Sequence, residues 1–300
     1  MTWNIGLEYG PSTRLHIYAL PDEGPARRIH TLALPYAPLV HDFAATESHL
    51  VFFISPVRIN MLRHALQVGG FSELFDWRPR EGTDIVVVPV ERPQEAVRFT
   101  VEPFFQWHFA NAFHAGDEIV VDYVRFEDLA PIKALRGEDS SAPFRDARCH
   151  RAVVDPKRMT FRSQALSGQG CEFPRVHPAI EGRRHRALWL ARGDLRAIIG
   201  LDPESGRETL YELPSGQWAS EPVFVPRPGA GVDRERDGYL MTLCHDGARD
   251  AGMVMVLDAR DIDAGPVARV WFRDYLTPAF HGHWVDRDQK AGITDQTVRS

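Results

Sequence analysis

Apolar residues recur along this chain in short alternating or continuous runs closed by turn residues, a pattern that predicts β-strands. Leu15-His16-Ile17-Tyr18-Ala19-Leu20 is followed by the turn Pro21-Asp22-Glu23-Gly24 and a second alternating run over residues 28–34, together one hairpin. The pattern returns at Ala197-Ile198-Ile199-Gly200-Leu201, with Asp202-Pro203-Glu204-Ser205-Gly206 as the turn and Thr209-Leu210-Tyr211-Glu212-Leu213 as the return run. It returns again at Gly238-Tyr239-Leu240-Met241-Thr242-Leu243 and, past His245-Asp246-Gly247, at Met253-Val254-Met255-Val256-Leu257-Asp258. Further strand-like runs lie at residues 50–57, 84–90, 97–101, 118–126 and 223–225. Long amphipathic helices between them are missing, which argues against a doubly wound sheet and for an all-β chain of repeated four-stranded units, as in a propeller.

One stretch departs from this pattern. Residues 59–75 place Met61, Leu62, Ala65, Leu66 and Val68 on one helical face, and Gly69-Gly70 is expected to stop the helix. Two readings are open: a helix that covers the sheet, or a surface that enters a bilayer interface with Arg58 and Arg63 as its basic flank. Residues 135–149 turn to Arg, Gly, Asp and Ser and read as a solvated loop. No linker divides the chain, so residues 1–300 are expected to form a single domain.

Composition narrows the function classes. A chain of 300 residues with 44% hydrophobic content can bury a sizeable core, and a formal charge of -6 without a basic stripe argues against a nucleic-acid partner. Cys149, Cys171 and Cys244 are widely spaced and form no Cys-x-x-Cys pair, so neither a disulfide framework nor a zinc ribbon is indicated and a reducing cytoplasm is expected. Nothing in the given N-terminal residues reads as an export signal, and no run approaches the roughly 18 apolar residues of a spanning helix, so neither export nor a membrane span is expected.

The candidate chemistry lies in three similar phrases. Phe280-His281-Gly282-His283-Trp284 sets histidines among aromatic residues near the C-terminus. His41-Asp42-Phe43 precedes the run at 50–57, and Trp107-His108-Phe109 precedes the run at 118–126. Imidazoles so far apart in sequence can share one centre only in a closed fold whose separate units point inward. Neutral imidazoles without thiolates suit iron, zinc or copper and leave positions open for a small reactant. A metal-bound histidine usually gives its other ring nitrogen to a carboxylate. Glu172 in Cys171-Glu172-Phe173-Pro174-Arg175 and Glu221 in Glu221-Pro222-Val223-Phe224-Val225-Pro226 are acids in apolar runs and are candidates for that role.

These phrases, with Phe105-Gln106-Trp107-His108-Phe109-Ala110-Asn111-Ala112, Asp237-Gly238-Tyr239-Leu240 and Leu257-Asp258-Ala259, resemble the successive signatures of the carotenoid cleavage oxygenases, in the family's order and over nearly the whole chain. The resemblance implies a seven-bladed β-propeller with a non-haem Fe(2+) centre on its axis, held by four histidines with glutamates behind three of them. His41, His108 and His281 match iron ligands, and Glu172 and Glu221 match the outer carboxylates; His283 and His114 match no ligand position. The family's first iron-binding histidine and first outer glutamate lie upstream of the segment resembling Asn4-Ile5-Gly6-Leu7-Glu8-Tyr9-Gly10. The propeller is therefore expected to be N-terminally incomplete, as in the C-terminal two-thirds of a member.

The implied activity is cleavage of a carbon–carbon double bond of a carotenoid or apocarotenoid by dioxygen, giving two carbonyl products. Its partners are an apolar conjugated small molecule and dioxygen, with a stilbene as the alternative substrate and a non-catalytic remnant as the alternative fate. Phe43, Phe105, Trp107, Phe113, Phe280 and Trp284 could line the substrate tunnel or simply fill the core. The resemblance also implies peripheral membrane contact through residues 61–75. A three-histidine zinc hydrolase finds no His-Glu-x-x-His helix to support it.

Overall fold

A computed structural model describes residues 1–10, 12–134, 144–231, 233–273 and 279–285. Residues 135–143 of the expected loop, and Pro278 just before the Phe280–Trp284 phrase, lie outside them. The regular structure of the described residues is almost all antiparallel β-sheet, and most neighbours within a sheet are strands close together in sequence. They fall into two compact units, Met1–Gly170 with Glu181–Arg184, and Cys171–Ile180 with His185–Ser300.

In the first unit, β1 (Thr2–Glu8), β2 (Thr13–Leu20) and β3 (Arg27–Leu34) form one sheet. A second begins with β4 (Ala44–Ala45) and β5 (His49–Ile54). The chain then leaves it for a small excursion, β6 (Val57–Ile59), helix α1 (Met61–Leu66) and β7 (Phe75–Trp77), and returns through β8 (Thr83–Pro89) and β9 (Val97–Val101). The third sheet holds β10 (Phe109–Ala115), β11 (Glu118–Arg125), β12 (Arg148–Asp155) and β13 (Thr160–Ala165). Strand β5 explains why residues 50–54 read as an unbroken apolar run. Leu50, Phe52 and Ile54 pack with Leu15 and Ile17 of the first sheet, while Val51 and Phe53 pack with Val121 and Tyr123 of the third. A strand covered on both faces has no polar side to alternate with.

The second unit repeats the scheme. β14 (Cys171–Arg175), β15 (Leu188–Arg192), β16 (Ala197–Asp202) and β17 (Arg207–Glu212) form one sheet. In the other, β18 (Gln217–Ala219) and β19 (Val223–Pro226) both pair with β20 (Gly238–Asp246), which continues to β21 (Ala251–Asp258) and β22 (Pro266–Trp271). Trp189, Ile198, Phe224, Leu240, Met255 and Leu257 belong to its core.

The expected hairpins are all present, and three local details differ from expectation. The run at 50–57 breaks at Ser55-Pro56, because proline supplies no ladder N–H, and resumes as β6. Helix α1 ends at Leu66, before the glycine pair, because Gln67 takes a left-handed backbone (φ 53°) and its N–H closes back on the carbonyls of Arg63 and His64. The helix buries none of its residues, so the cover-helix reading does not hold.

A polar cluster around the buried Asp84 fastens the second sheet. Asp84 on β8 accepts hydrogen bonds from the Tyr36 hydroxyl, from Arg98 and from Thr100, the last at 2.8 Å. Burial pushes the Asp84 carboxyl up, but the Tyr36, Arg98 and Thr100 bonds outweigh it and leave its pKa below the ordinary value. A depressed folded-state pKa stabilises the fold above the unfolded value, near 4, and that contribution is lost as pH falls below it. Asp84→Asn is therefore expected to lower stability at pH 7 and to flatten the loss between pH 7 and pH 3. Urea midpoints at the two pH values measure both effects; an equal acid-side slope in the two proteins would sink the assignment.

Candidate metal centre

His41 precedes β4, and His108 immediately precedes β10; β10 stands between His108 and the strand that the sequence placed next. Their rings lie 5.1 Å apart at 74°, and Trp107 meets His41 edge-on at 4.9 Å. Backbone clamps hold this arrangement. One Asp42 oxygen accepts the Phe43 amide and the other accepts the Phe109 amide, each at 2.8 Å, which ties the His41 loop to the residue after His108. The buried Gln106 amide donates to the Phe53 carbonyl at 2.8 Å, and the His108 carbonyl accepts from the Val124 amide at 3.0 Å. In sequence Asp42 is only the neighbour of His41, and its role emerges from where its two oxygens go.

The second unit holds His281 and both glutamates. Glu221, between β18 and β19, is 5% exposed. Its carboxylate lies 2.8 Å and 2.9 Å from two nitrogens of Arg175, accepts the Gly282 amide at 3.0 Å, and stands 3.3 Å from Nδ1 of His281. Burial raises its pKa, but the bonds with His281, Arg175 and Gly282 and the Arg175 charge outweigh it and bring the carboxyl to about 2. An ionised carboxylate on Nδ1 fixes the imidazole orientation and leaves Nε2 as the remaining donor atom. The only sequence signal for Arg175 is that it closes the motif Glu172-Phe173-Pro174-Arg175.

Glu172 lies fully buried on β14, and one of its oxygens accepts the Phe173 amide. Phe173 sits at a register irregularity with φ 57°, a strained setting for a bulky residue. Its buried ring meets His281 edge-on at 5.6 Å and Phe280 at 6.1 Å. A cavity of about 200 Å³ opens beside this cluster, its wall including Glu221, Val223, Met241, Phe280, His281 and Trp284. Phe280 and Trp284, expected near the substrate, line that cavity. The other aromatic candidates lie in the first unit. Phe43 stacks on Phe52 at 5.4 Å, and buried Phe105 meets Trp107 at 4.8 Å. Phe113 is buried with the Arg151 guanidinium 5.6 Å from its ring.

Comparison with known proteins places this geometry in a family. The model of the retinal pigment epithelial membrane protein family (RPE65) matches residues 1–286. The chain belongs to the carotenoid cleavage oxygenase family. It is 31% identical to apocarotenoid-15,15'-oxygenase of Synechocystis sp. over 91% of this chain and 57% of that protein. It is also 26% identical to the carotenoid 9,10(9',10')-cleavage dioxygenase of Crocus sativus, over 85% of this chain and 50% of that protein. Isoeugenol monooxygenase of Pseudomonas nitroreducens is 27% identical, over 90% and 59%. The solved structure of the cobalt-substituted Synechocystis enzyme superposes with a TM-score of 0.84 at 29% identity, covering 94% of this chain and 60% of that one. The fold class is thus the all-β propeller class of this carotenoid oxygenase family. The chain spans roughly half to three-fifths of the length of these relatives.

Proposed function

We propose that this chain carries the metal-binding part of an oxygenase that cleaves a carbon–carbon double bond of a carotenoid or apocarotenoid. The match to the Synechocystis apocarotenoid-15,15'-oxygenase is the observation that carries this reading. His41, His108 and His281 are the proposed ligands of one ferrous ion, and Glu221 and Glu172 the carboxylates behind the ligand shell. The donor set fits such an ion: two imidazoles held against each other by backbone clamps, and a third whose Nδ1 rests on an ionised carboxylate. Ferrous iron bound there would supply the activation of dioxygen. The overall change is balanced without another reductant, since the two oxygen atoms end in the two carbonyl groups formed as the double bond breaks.

The protein's own work is placement. The apolar wall of Val223, Met241, Phe280 and Trp284 suits a conjugated hydrocarbon chain and offers it no hydrogen bonds, so shape sets which bond is presented. Glu221 keeps the His281 ring from turning, and Phe173 closes one side of it. Anaerobic reconstitution with Fe(II), then aerobic incubation with an apocarotenal and with isoeugenol or a stilbene in competition, tests the proposal. Paired carbonyl products from the apocarotenal are expected. Cleavage of the phenolic substrate alone would move the reading to the isoeugenol side of the family, and no retained iron would leave the non-catalytic remnant.

Delivery of such a substrate fits a membrane contact at helix α1. Leu62, Leu66 and Val68 are 70%, 63% and 57% exposed beside Arg63, an apolar tip with one basic neighbour, whereas Arg58, the other expected flank, is buried and paired with Glu81. No helix among the described residues is long and apolar enough to cross a membrane, so this contact would lie on the surface. Flotation with anionic vesicles is expected to carry the protein upward, and Leu62→Glu with Leu66→Glu to leave it at the bottom. Equal flotation of the two would remove this segment from the account.

A further inference from the structure

The first unit carries a second group of ligating atoms, apart from the histidines discussed above. His49 begins β5 and His114 lies near the end of β10, so the two stand on different sheets of that unit. Their rings are 5.0 Å apart at 62°, with Nδ1 of His49 3.2 Å from Nε2 of His114. The Ser48 hydroxyl lies 2.9 Å from each of those nitrogens, and the Thr46 hydroxyl lies 3.1 Å from the His114 nitrogen. The two nitrogens thus lie within hydrogen-bond distance of each other and of one shared hydroxyl oxygen, so three ligating atoms are grouped together.

The spacing is that of a chelate. Zinc–imidazole bonds of about 2.0–2.1 Å at a tetrahedral angle put two nitrogens about 3.3–3.4 Å apart. The observed 3.2 Å needs almost no adjustment. The turn that presents His49 and Ser48 is already fixed. The Thr46 hydroxyl accepts the amides of Ser48 and His49 at 3.2 Å and 2.9 Å, and the Thr46 amide donates to the His49 carbonyl at 2.8 Å. His114 is exposed and His49 half-buried, so an ion can enter from solvent and keep water as a further ligand.

We propose that His49, His114 and the Ser48 hydroxyl form a second divalent-metal site of the zinc class, a clasp between the second and third sheets of the first unit. Binding to the folded chain alone stabilises it by linkage, so zinc raises the melting temperature. His281→Ala serves as the background that removes the other proposed centre. In that background, after chelator treatment and dialysis, one Zn(II) per chain is expected by calorimetric titration, with a higher melting temperature in zinc. Adding His114→Gln, a polar side chain of similar size but a poor zinc ligand, is expected to weaken binding at least about tenfold and to cancel the thermal shift. His49→Gln should do the same. Zinc binding of equal strength with and without His114→Gln would overturn the proposal, as would the absence of any zinc in the His281→Ala protein. Either failure leaves the iron reading intact, because that reading is judged by the wild-type iron content.

Discussion

Replacing His281 by alanine is expected to strip the protein of iron, while His283→Ala, two residues away, leaves its iron content unchanged. The two histidines share a phrase but not an environment. Nδ1 of His281 rests on Glu221, and its ring packs against Phe173. Loss of a carboxylate behind a metal ligand typically costs about 10–100-fold in metal affinity, so Glu221→Gln should weaken iron binding by that order. Loss of the ligand itself removes a metal–nitrogen bond as well as the carboxylate's influence, and should cost more. After anaerobic reconstitution and desalting, iron per chain is expected to rank wild type and His283→Ala first, Glu221→Gln next and His281→Ala last. Apocarotenal cleavage should follow the same order. A His281→Ala protein that keeps as much iron as His283→Ala would remove His281 from the centre.

What could be read from the chain beforehand follows the physics of burial. The hairpins at Thr13–Leu20 with Arg27–Leu34, and at Gly238–Asp246 with Ala251–Asp258, announce themselves because their strands carry apolar residues and meet at turn-forming residues. Strands β12 and β13 do not. β12 reads Arg-Cys-His-Arg-Ala-Val-Val-Asp and β13 Thr-Phe-Arg-Ser-Gln-Ala, and their polar residues are satisfied across the sheet, as His150 is by Ser163. Such pairing is invisible until the register is known. The N-terminal strand β1 is half-exposed along its length and gives a weak pattern for the same reason.

The site shows the same division. His41, His108 and His281 were picked out by neighbouring aromatics and by family resemblance. The atoms that hold them, Asp42 on the Phe109 amide and Arg175 on Glu221, depend on backbone positions that no local pattern encodes. His49 and His114 are the extreme case. Each alone is an ordinary polar residue at the end of a strand, and only the packing of two sheets brings their nitrogens to 3.2 Å.

Arg151→Met is expected to be the most damaging single change to stability. Asp122 on β11 and Arg151 on β12 are directly opposite in the ladder, and two parallel bonds of 2.8 Å join them. The aspartate side chain is fully buried and the arginine side chain 13% exposed, so the pair has left water. Forming it offers little net gain over an apolar pair, because desolvating two charges offsets most of their attraction. Breaking it is another matter: methionine fills much of the arginine's volume but leaves the Asp122 charge buried without the guanidinium. The expected loss is about 3–5 kcal/mol, against a total of about 5–15 kcal/mol for an ordinary domain. Urea unfolding followed by circular dichroism measures it. A second substitution, Asp122→Leu in the Arg151→Met protein, should recover part of the loss, since it removes the buried carboxylate that has lost the guanidinium. The consequence reaches the proposed metal centre, because β11 pairs with β10 and the Val124 amide of β11 holds the His108 carbonyl. Arg151→Met should therefore lose iron at a lower temperature than wild type, and the double variant should regain it. A loss below about 1 kcal/mol in the single variant would mean that water reaches the pair and relieves the charge, as at a surface ion pair.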